Sequence, residues 1–427
     1  MVFYIMDDEI VFKKDGLIFS KSTDDKVFKR NGEVMKEMDG QTITADKEIT
    51  FVKFKRIVQS NVSEFINQAF SNIVVLVGAG ASVVSTKDGI DPKYGKTVSM
   101  IAEDVLNKLD TRKYKPFSAH KERAVLSLQD LSKNIQYLDN ICYKNKDGEL
   151  KLIKKFNLED FLSKLITYIE FVNNKEEIWK DSLEAIFDII KRDTNYKYNE
   201  DVFNHGKLIN ILSKKLNAEN KLNLVTTNYD TLLEDAAEKN HYTVFDGFSF
   251  SREPRFDDDM FEWHLSKHVS NVHTHENIYK HQVINLLKIH GSLTWRQHGD
   301  EVIRTSKNAK GTPVMIFPSS NKYMQSYEEP YFELFSRFQG MLRQPNTLLI
   351  TIGFSFSDKH IARMVTQAIE HNPGLCTLVT DLNISPKNPN MGWKEMERLM
   401  RRNHEIVYLQ GTLNGDLTDY LGEFNEN

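Results

Sequence analysis

The stretch Ile73–Val77, followed by Gly78 and Gly80, constrains the fold of this chain more than any other part of the sequence. It runs Ile-Val-Val-Leu-Val-Gly-Ala-Gly-Ala-Ser. Five consecutive aliphatic residues are typical of a strand that is buried on both faces. The glycines have no Cβ, so the backbone can turn sharply and approach a phosphate, and Ser82 can cap a following helix or bind the phosphate itself. The stretch predicts the start of a nucleotide-binding α/β sheet, although a plain strand–turn–helix corner would have the same sequence.

Further apolar strands alternate with helical patterns along the chain. The alternation predicts a Rossmann-like α/β fold, a doubly wound parallel sheet of about six core strands with right-handed crossovers. A helix is predicted at Phe54–Phe70, and helical patterns over about 97–220 predict a helical subdomain inserted between the first two strands. Val314–Phe317 is a candidate edge strand. After Ile73–Val77, strands are predicted at Leu222–Thr226, Tyr242–Phe245, Ile284–Ile289, Thr347–Ile352, Leu375–Val379 and Ile406–Leu409.

Residues 1 to about 45 contain two similar segments. Val11–Gly16 has the sequence Val-Phe-Lys-Lys-Asp-Gly, and Val27–Gly32 has the sequence Val-Phe-Lys-Arg-Asn-Gly. Each ends in an Asp-Gly or Asn-Gly turn signal between short alternating apolar runs, which predicts a small N-terminal β-hairpin module. The chain is therefore divided into this module, 1–45, and a main domain, 46–427. The module either packs on the main domain as an appendage or serves oligomerisation or the docking of a partner.

The charge and the cysteine content argue against several classes of protein. The 56 basic and 60 acidic residues give a formal net charge of −4, so the overall charge does not favour nucleic acid or an anionic membrane as a partner. Two cysteines, Cys142 and Cys376, can form neither a disulfide framework nor a four-thiolate zinc site within one chain. The longest apolar run is too short to span a bilayer. We expect a soluble, cytoplasmic protein.

Four of the predicted strands end in small or polar residues. Ligands of open parallel sheets bind at the carboxyl ends of the strands, so these residues are placed for chemistry. In chain order they are Gly78–Ser82 (Gly-Ala-Gly-Ala-Ser), Thr226–Asp230 (Thr-Thr-Asn-Tyr-Asp), His290–Ser292 (His-Gly-Ser) and Gly353–Asp358 (Gly-Phe-Ser-Phe-Ser-Asp). As a set, in this order, they resemble the sirtuin family, and more closely its bacterial sirtuin-like branch associated with anti-phage defence. The resemblance extends over roughly Val58–Leu409.

The resemblance implies a role for each strand end. Asn228 matches the asparagine that positions the reacting carbon, and His290 matches the catalytic histidine. Asp358 matches an acidic residue that follows the last turn in the sirtuin-like branch, where it is expected to cap the next helix. The residues implied to bind NAD are Gly78, Ala79, Gly80 and Ser82 at the diphosphate, Thr227 and Asp230 beside the nicotinamide ribose, and Gly353 and Ser355 around the adenosine half and the phosphates.

Two departures from the family pattern bear on the expected reaction. Protein-deacylating sirtuins carry a zinc module with four cysteines, which a chain with two cysteines cannot form. The loop that is typically Gly-Ile-Pro-Asp-Phe-Arg in the family is here Gly89–Tyr94, Gly-Ile-Asp-Pro-Lys-Tyr, and Asp91 is only a candidate for contacts to nicotinamide. A cleft for an acylated peptide is poorly supported, which favours water as the acceptor.

The resemblance therefore implies an NAD hydrolase that releases nicotinamide and ADP-ribose, or a cyclised product as a variant. NAD is expected as the substrate, Asn228 and His290 as the catalytic residues, and no metal is expected. The branch depletes NAD when phage infection is sensed, so we expect a regulated effector that forms a homo-oligomer or binds a second defence protein. Two alternatives stay open. One is a sensor that binds NAD or ADP-ribose without catalysis, and the other is a protein deacylase or ADP-ribosyltransferase.

Three further features are interpreted without a function. His264 and His268 are spaced for metal binding, but the segment lacks the glutamate of a zinc-protease helix and is hydrophilic, so we expect a surface excursion or lid. Arg398–Arg402 is expected to form a solvated helix face rather than a nucleic-acid patch. Asn157 and Glu159 begin an apolar helical pattern and are expected to cap it. The sirtuin-like branch often has a comparable Asn-x-Glu, which suggests a wall of the pocket.

Overall fold

The computed structural model describes residues 8–36, 49–86, 89–91, 93–116, 121–171, 177–269, 277–309, 311, 313–315, 329–384 and 390–422. In this part of the chain the helices are α1 Phe51–Ile66, α2 Val98–Leu109, α3 Leu128–Asn134, α4 Leu158–Phe171, α5 Glu177–Thr194, α6 His205–Ser213, α7 Leu232–Lys239, α8 Tyr331–Arg343, α9 Lys359–His371, α10 Met391–Met400 and α11 Leu417–Leu421, with 3₁₀ turns at Ala79–Ser82 and Asp258–Phe261. The strands are β1 Asp8–Lys14, β2 Leu17–Ser22, β3 Phe28–Arg30, β4 Glu33–Val34, β5 Asn72–Val77, β6 Ser85–Thr86, β7 Gly89–Ile90, β8 Lys113–Tyr114, β9 Arg123–Ala124, β10 Cys142–Lys144, β11 Leu150–Leu152, β12 Leu222–Thr226, β13 Thr243–Phe245, β14 Ser266–His268, β15 Asn277–Tyr279, β16 Val283–Lys288, β17 Trp295–His298, β18 Glu301–Arg304, β19 Thr347–Ile352, β20 Leu375–Asp381 and β21 Ile406–Gln410.

Eleven of the described strands form one sheet, in the order β13-β16-β12-β5-β19-β20-β21-β1-β2-β3-β4. The first seven strands in this order are parallel to one another. The central strands are buried along their whole length, which is why their sequences are mostly apolar rather than alternating between apolar and polar residues. The sheet agrees with the predicted Rossmann-like α/β architecture, but the predicted number of about six core strands is too low.

The difference in number lies at the edges of the sheet, where β13, which the sequence predicts as a separate short strand, and the N-terminal strands β1–β4 add to the six core strands. The short strand β13 pairs with β16 over three residues and closes one edge. Of the candidate edge strand Val314–Phe317, Met315 forms an isolated antiparallel bridge to Gly291. Residues 316–317 lie outside the described part of the chain. Edge strands are short and only partly covered, so their sequences carry a weaker pattern than the buried centre does.

The N-terminal residues extend this sheet as four strands, so they form more than the small β-hairpin module that the sequence predicts, and they pack on the main sheet. Strand β1 pairs antiparallel with β21, with Phe12 opposite Leu409, and β2, β3 and β4 continue as an antiparallel meander. The side chains of Phe12, Phe19 and Phe28 are buried in the same core cluster as Phe54 of α1. The Asp-Gly and Asn-Gly turn signals do fall between paired strands. The predicted boundary at residue 45 lies outside the described residues, so the division into 1–45 and 46–427 stays a prediction.

Helices cover both faces of the parallel strands. On β5, the side chains of Ile73, Val75 and Val77 belong to one core cluster, and those of Val74 and Leu76 belong to another. The first cluster packs against α1, α6, α7 and α11, and the second packs against α8, α9 and α10. Helices on both faces of a parallel sheet are the arrangement of a doubly wound fold.

A helical subdomain lies between β5 and β12 in the chain. Helices α2 to α5 and the hairpins β8–β9 and β10–β11 share a core of their own. Helix α6, which the prediction included in this subdomain, packs instead against the sheet through Leu208, Ile209 and Leu212. Tyr229, just past the end of β12, packs against the subdomain core. The helical subdomain therefore borders the carboxyl ends of the parallel strands.

The order of the strands reverses at β5, which pairs with β12 on one side and with β19 on the other. The chain builds β12, β13 and β16 on the first side and then crosses to β19, β20 and β21 on the second. In open parallel sheets a ligand binds in the crevice outside the carboxyl ends of the strands at such a reversal. The crevice here opens after Val77 and Ile352, the last residues of β5 and β19.

Candidate functional site

The two residues predicted to be catalytic lie level at one edge of the sheet. In the parallel register of β12 and β16, Thr226 pairs with Lys288. Asn228 and His290 each follow this pair by two residues, so adjacent strands deliver them side by side. Parallel neighbours lie about 4.8 Å apart, so Asn228 and His290 follow the ends of adjacent strands. Their action on one substrate stays a prediction.

The glycine turn after β5 packs directly on the turn after β19. The amide of Gly78 donates to the carbonyl of Ile352 at 2.9 Å, and the amide of Gly80 donates to the carbonyl of Gly353 at 3.0 Å. A Cβ on Gly78 would lie 2.5 Å from the carbonyl oxygen of Gly353, and a Cβ on Gly80 would lie 2.9 Å from its Cα. The glycines are thus required for the contact between two turns, a reason that the sequence did not indicate.

The helix expected directly after the glycines is a single 3₁₀ turn, Ala79–Ser82, and the next α-helix begins only at Val98. This corrects the prediction of a helix that begins directly after the glycines, whereas binding of the NAD diphosphate by Gly78–Ser82 stays a prediction. The turn is held from outside by Asn414, whose Nδ2 donates to the carbonyls of Ala81 and Val83 at 2.9 and 2.8 Å. Its conformation is set by tertiary contacts rather than by helix formation.

Asn228, Ser82 and Asp230 form one hydrogen-bonded group across β5 and β12. Nδ2 of Asn228 donates to the carbonyl of Gly78 and to Oγ of Ser82, both at 3.0 Å. Oγ of Ser82 donates to Oδ2 of Asp230 at 2.7 Å, while Oδ1 of Asp230 accepts from the amide of Leu232 at 3.1 Å. Because both amide hydrogens of Asn228 are used, its carbonyl oxygen is the atom that can accept from a ribose hydroxyl or a water.

Thr227 contributes to the site through its backbone. Its amide donates to the carbonyl of Val77 at 3.1 Å, which continues the pairing of β5 and β12 by one residue. The side chain of Thr226 also donates to Val77, at 3.0 Å, and accepts from the amide of Asn228 at 3.0 Å. These bonds fix the backbone that carries Asn228.

A layer of buried charged and polar groups lies behind Asp230. Nζ of Lys288, only 3% exposed, donates to the carbonyl of Asp230 and lies 3.0 Å from Oε1 of Glu234. Burial raises the pKa of Glu234. Burial lowers the pKa of His205 to about 4, although the charge of Asp230 acts in the opposite direction. For Tyr196, burial and the charge of Asp230 both raise the pKa. These shifts identify the surroundings of Asp230 as a largely desolvated region.

His290 is buried beside Asp358. Nε2 of His290 lies 3.2 Å from Oδ2 of Asp358, and their side chains are 5% and 8% exposed. The contact has the distance of an ion pair but not the geometry of an aligned hydrogen bond. The other carboxylate oxygen, Oδ1, accepts from the amides of His360 and Ile361 at 3.0 and 3.3 Å. The predicted capping role of Asp358 is confirmed, and its contact with His290 was missed by the sequence analysis.

Gly353 and Ser355 lie in a tightly packed turn after β19. Gly353 adopts a φ of +59°, and the rings of Phe354 and Phe356 turn into the core with their centroids 5.1 Å apart. Ser355 is exposed, and its hydroxyl donates to Oγ of Ser357 at 3.0 Å. Asn390 donates to the carbonyl of Ser355 at 3.0 Å. Ser355 therefore lies on the outside of a turn that two aromatic side chains anchor.

The helical subdomain also contributes to the site. The pKa of Tyr229 is raised well above its usual value. The causes are burial, the charge of Glu159, the neighbouring Tyr331 and the charge of Asp358. Glu159 is in the first turn of α4. The pocket wall that the Asn-x-Glu pattern suggested stays a prediction. Asp91, the candidate for nicotinamide contacts, accepts from the amide of Lys93 at 2.9 Å within its own loop.

The described residues contain no group of three or more His, Cys, Asp or Glu side chains that could hold a metal ion. His264 packs edge-on against Tyr279, with the ring centroids 5.9 Å apart. His273 and His275 lie outside the part of the chain that the structure describes. Among the described helices, none combines the length and the apolar composition that crossing a bilayer requires.

A comparison with known families finds a similarity over the second half of this site. Residues 222–409 match the family model of the SIR2-like domain, and no curated protein matches the chain. The matched residues include Asn228, His290, Gly353 and Asp358, whereas the turn Gly78–Ser82 precedes them. The match supports a sirtuin-like region and an NAD-related function, because SIR2-like domains use NAD as a substrate.

Proposed function

We propose that this chain is an NAD hydrolase. In this reaction the bond between C1′ of the ribose and the nicotinamide nitrogen breaks, and the bonding electron pair goes to nicotinamide. Water forms the new bond to C1′ and loses a proton, giving ADP-ribose. The proposal rests mainly on the register of β12 and β16. Thr226 pairs with Lys288, and Asn228 and His290 each follow this pair by two residues. They therefore lie at the carboxyl ends of the strands, where a dinucleotide would bind.

The reaction needs orientation and one proton acceptor. Its transition state resembles an oxocarbenium ion, which a site that excludes water and fixes the ribose can favour. The carbonyl oxygen of Asn228 would accept from a ribose hydroxyl or from the attacking water. His290 would take the proton, since an imidazole exchanges protons near neutral pH. The hydrogen bonds of Asn228 to Gly78 and Ser82 hold its amide in place for this task.

Water is proposed as the acceptor because the chain lacks the cysteines of a zinc module. Cys142 is on β10 of the helical subdomain, and Cys376 is on β20 of the main sheet. The zinc module of protein-deacylating sirtuins needs four cysteines, and this chain contains two. Deacylation of a protein substrate is therefore the weaker candidate.

We further propose that the hydrolase is a regulated effector that depletes NAD in anti-phage defence. The support is the resemblance of the four strand-end motifs to the defence-associated sirtuin-like branch. Regulation would come from homo-oligomer formation or from a second defence protein. The proposed contact surfaces are the N-terminal strands β1–β4, which extend the sheet beyond β21, and the helical subdomain, which borders the predicted NAD crevice.

The proposal is tested by incubating the purified full-length protein with NAD and measuring nicotinamide and ADP-ribose by chromatography. The expected result is release by the wild type and a loss of roughly 10²- to 10⁴-fold in Asn228→Ala and His290→Ala. Asn217→Ala and His298→Ala serve as matched controls, since both side chains are exposed. These two variants should release nicotinamide at the wild-type rate.

Binding of NAD without release would point to the sensor alternative or to a missing activator. Adding a lysate of phage-infected cells separates these two outcomes, because an activator would restore release. Continued absence of nicotinamide, with NAD binding measured in the same samples, would overturn the hydrolase proposal. Detection of an O-acyl-ADP-ribose or of an ADP-ribosylated protein would instead support transfer to an acceptor other than water.

A further inference from the structure

The contact between His290 and Asp358 joins two distant parts of the chain inside the site. His290 follows β16, and Asp358 immediately precedes α9. Nε2 and Oδ2 lie 3.2 Å apart in a place where both side chains are almost entirely covered. Opposite charges in such surroundings interact more strongly than at the surface, because water screens them less.

The capping bonds determine where the carboxylate of Asp358 points. Oδ1 accepts from the first amides of α9, those of His360 and Ile361. With one oxygen held at the helix, the second oxygen is directed to His290. A cap alone needs only one acceptor atom, which Ser or Asn supplies as well as Asp. Helix capping accounts for Oδ1 of Asp358, but it does not require the second oxygen to lie against an imidazole.

We propose that Asp358 is a positioning residue that orients His290 and stabilises its protonated form. The inference rests on the proposed NAD hydrolysis. In that reaction the Nε2–H of the His290 ring faces Asp358. The oxygen of the attacking water bonds to C1′, and Nδ1 of His290 takes the proton that this water loses. The electron pair of the broken bond leaves with nicotinamide, and the imidazolium afterwards returns its proton to solvent. Asp358 itself stays ionised and balances the positive charge that His290 gains.

Other charged and titratable groups surround this pair. Tyr229 keeps its proton through the neutral range, because burial and the charges of Glu159 and Asp358 raise its pKa. Tyr331 is the other neighbour that acts on Tyr229. Lys288, two residues before His290, is paired with Glu234 behind the site. Asp358 is thus the carboxylate in direct contact with the ring, and Glu159 acts on the same region from α4.

Asp358→Asn tests the inference, because asparagine keeps the capping acceptor and removes the charge. The expected result is a fall of roughly 10²-fold in kcat with little change in KM. The acid limb of the pH–rate profile should move to lower pH by roughly one unit, since a neighbouring carboxylate favours the protonated ring and its removal favours the neutral one. Asp358→Ser, which also retains a capping oxygen, should behave in the same way. Thermal unfolding of both variants should match that of the wild type.

A titration of His290 makes the test independent of NAD hydrolysis. The full-length protein is labelled in its 13 histidines, and the His290 resonance is assigned by its absence from His290→Gln. In Asp358→Asn the resonance should titrate at lower pH than in the wild type. An unchanged titration would overturn the inference whether or not NAD is cleaved. If Asp358→Asn had the wild-type pH–rate profile and kcat, the inference would also be overturned. If its loss of activity were explained wholly by a lower unfolding temperature, Asp358 would be a helix cap only, and the inference would fail.

Discussion

At the scale of single residues, two independent constraints require a glycine at position 353. Its φ of +59° lies in the left-handed region, which costs a residue with a Cβ roughly 1–3 kcal/mol. A Cβ would also collide with the backbone of Gly80 and Ala81, in the turn that follows β5. Neither obstacle can be relieved by a side-chain rotation, since the opposing atoms belong to the backbone.

We expect Gly353→Ala to destabilise the protein by about 1–3 kcal/mol and to abolish NAD binding, because the two turns at the crevice can no longer pack together. Gly340→Ala is the matched control. Gly340 lies in α8, nothing lies within 4 Å of its added Cβ, and alanine favours the helix by about 0.5–1 kcal/mol. Urea unfolding and calorimetric NAD binding measure both effects. Wild-type stability of Gly353→Ala would contradict the described contact.

At the scale of secondary-structure elements, a row of buried side-chain amides links four parallel strands. Asn285 of β16 donates to Asn223 of β12 at 2.8 Å, and Asn223 donates to Asn72 of β5 at 2.9 Å. Asn72 donates in turn to Thr347 of β19 and to the carbonyl of Met341, both at 3.1 Å. The row lies near the amino ends of these strands, opposite the candidate site. It fixes the register of the strands on which the site is built.

Asn223→Ala removes the middle of this row and leaves the buried amides of Asn72 and Asn285 without the bonds that it made. An unsatisfied buried polar group costs about 1–3 kcal/mol, so the free energy of unfolding should fall by at least that amount. The exposed residue Asn217 provides the control, and Asn217→Ala should change stability by less than about 0.5 kcal/mol. The midpoints of urea unfolding give both values. Equal midpoints for the two variants would show that the row does not stabilise the sheet.

At the scale of the whole molecule, the N-terminal strands and the parallel sheet share a hydrophobic core. The ring of Phe28 stacks on that of Phe54 with a centroid distance of 4.7 Å, and Phe19 meets Phe54 edge-on at 6.3 Å. Lys13 of β1 pairs with Glu397 of α10 at 2.6 Å. Removing these strands would expose the edge of β21 and the apolar side chains beneath them.

We therefore expect a chain without residues 1–45 to be insoluble or to unfold at a clearly lower temperature than the wild type. The point variant Phe19→Ala should cost about 3–5 kcal/mol, since it leaves a cavity in the shared core. Phe250→Ala, at a residue 63% exposed, is the control and should have little effect. Solubility and thermal unfolding report the outcome. A soluble truncated chain with wild-type unfolding would show that the main domain does not need the N-terminal strands for its stability.

Local sequence patterns were enough to predict the class of fold and to place candidate site residues at the ends of strands. A parallel strand covered on both faces must be apolar along its length, so Ile73–Val77 and Thr347–Ile352 are visible without any knowledge of their neighbours. The ends of such strands are where a ligand binds, which drew attention to four motifs, and the resemblance of these motifs to the sirtuin family implied the roles of Asn228 and His290. These properties are local, because each depends on residues that follow one another in the chain.

How these parts meet depends on contacts between residues that are far apart in the chain. The contact of Gly78 with Gly353 and the pairing of His290 with Asp358 join residues from separate strands, and no local pattern specifies a partner. The pairing of β1 with β21 likewise depends on an open sheet edge and on aromatic side chains that α1 presents. Strand order, register and side-chain direction arise from the packing of all the helices against the sheet at once. For that physical reason they become fixed only when the whole chain has folded.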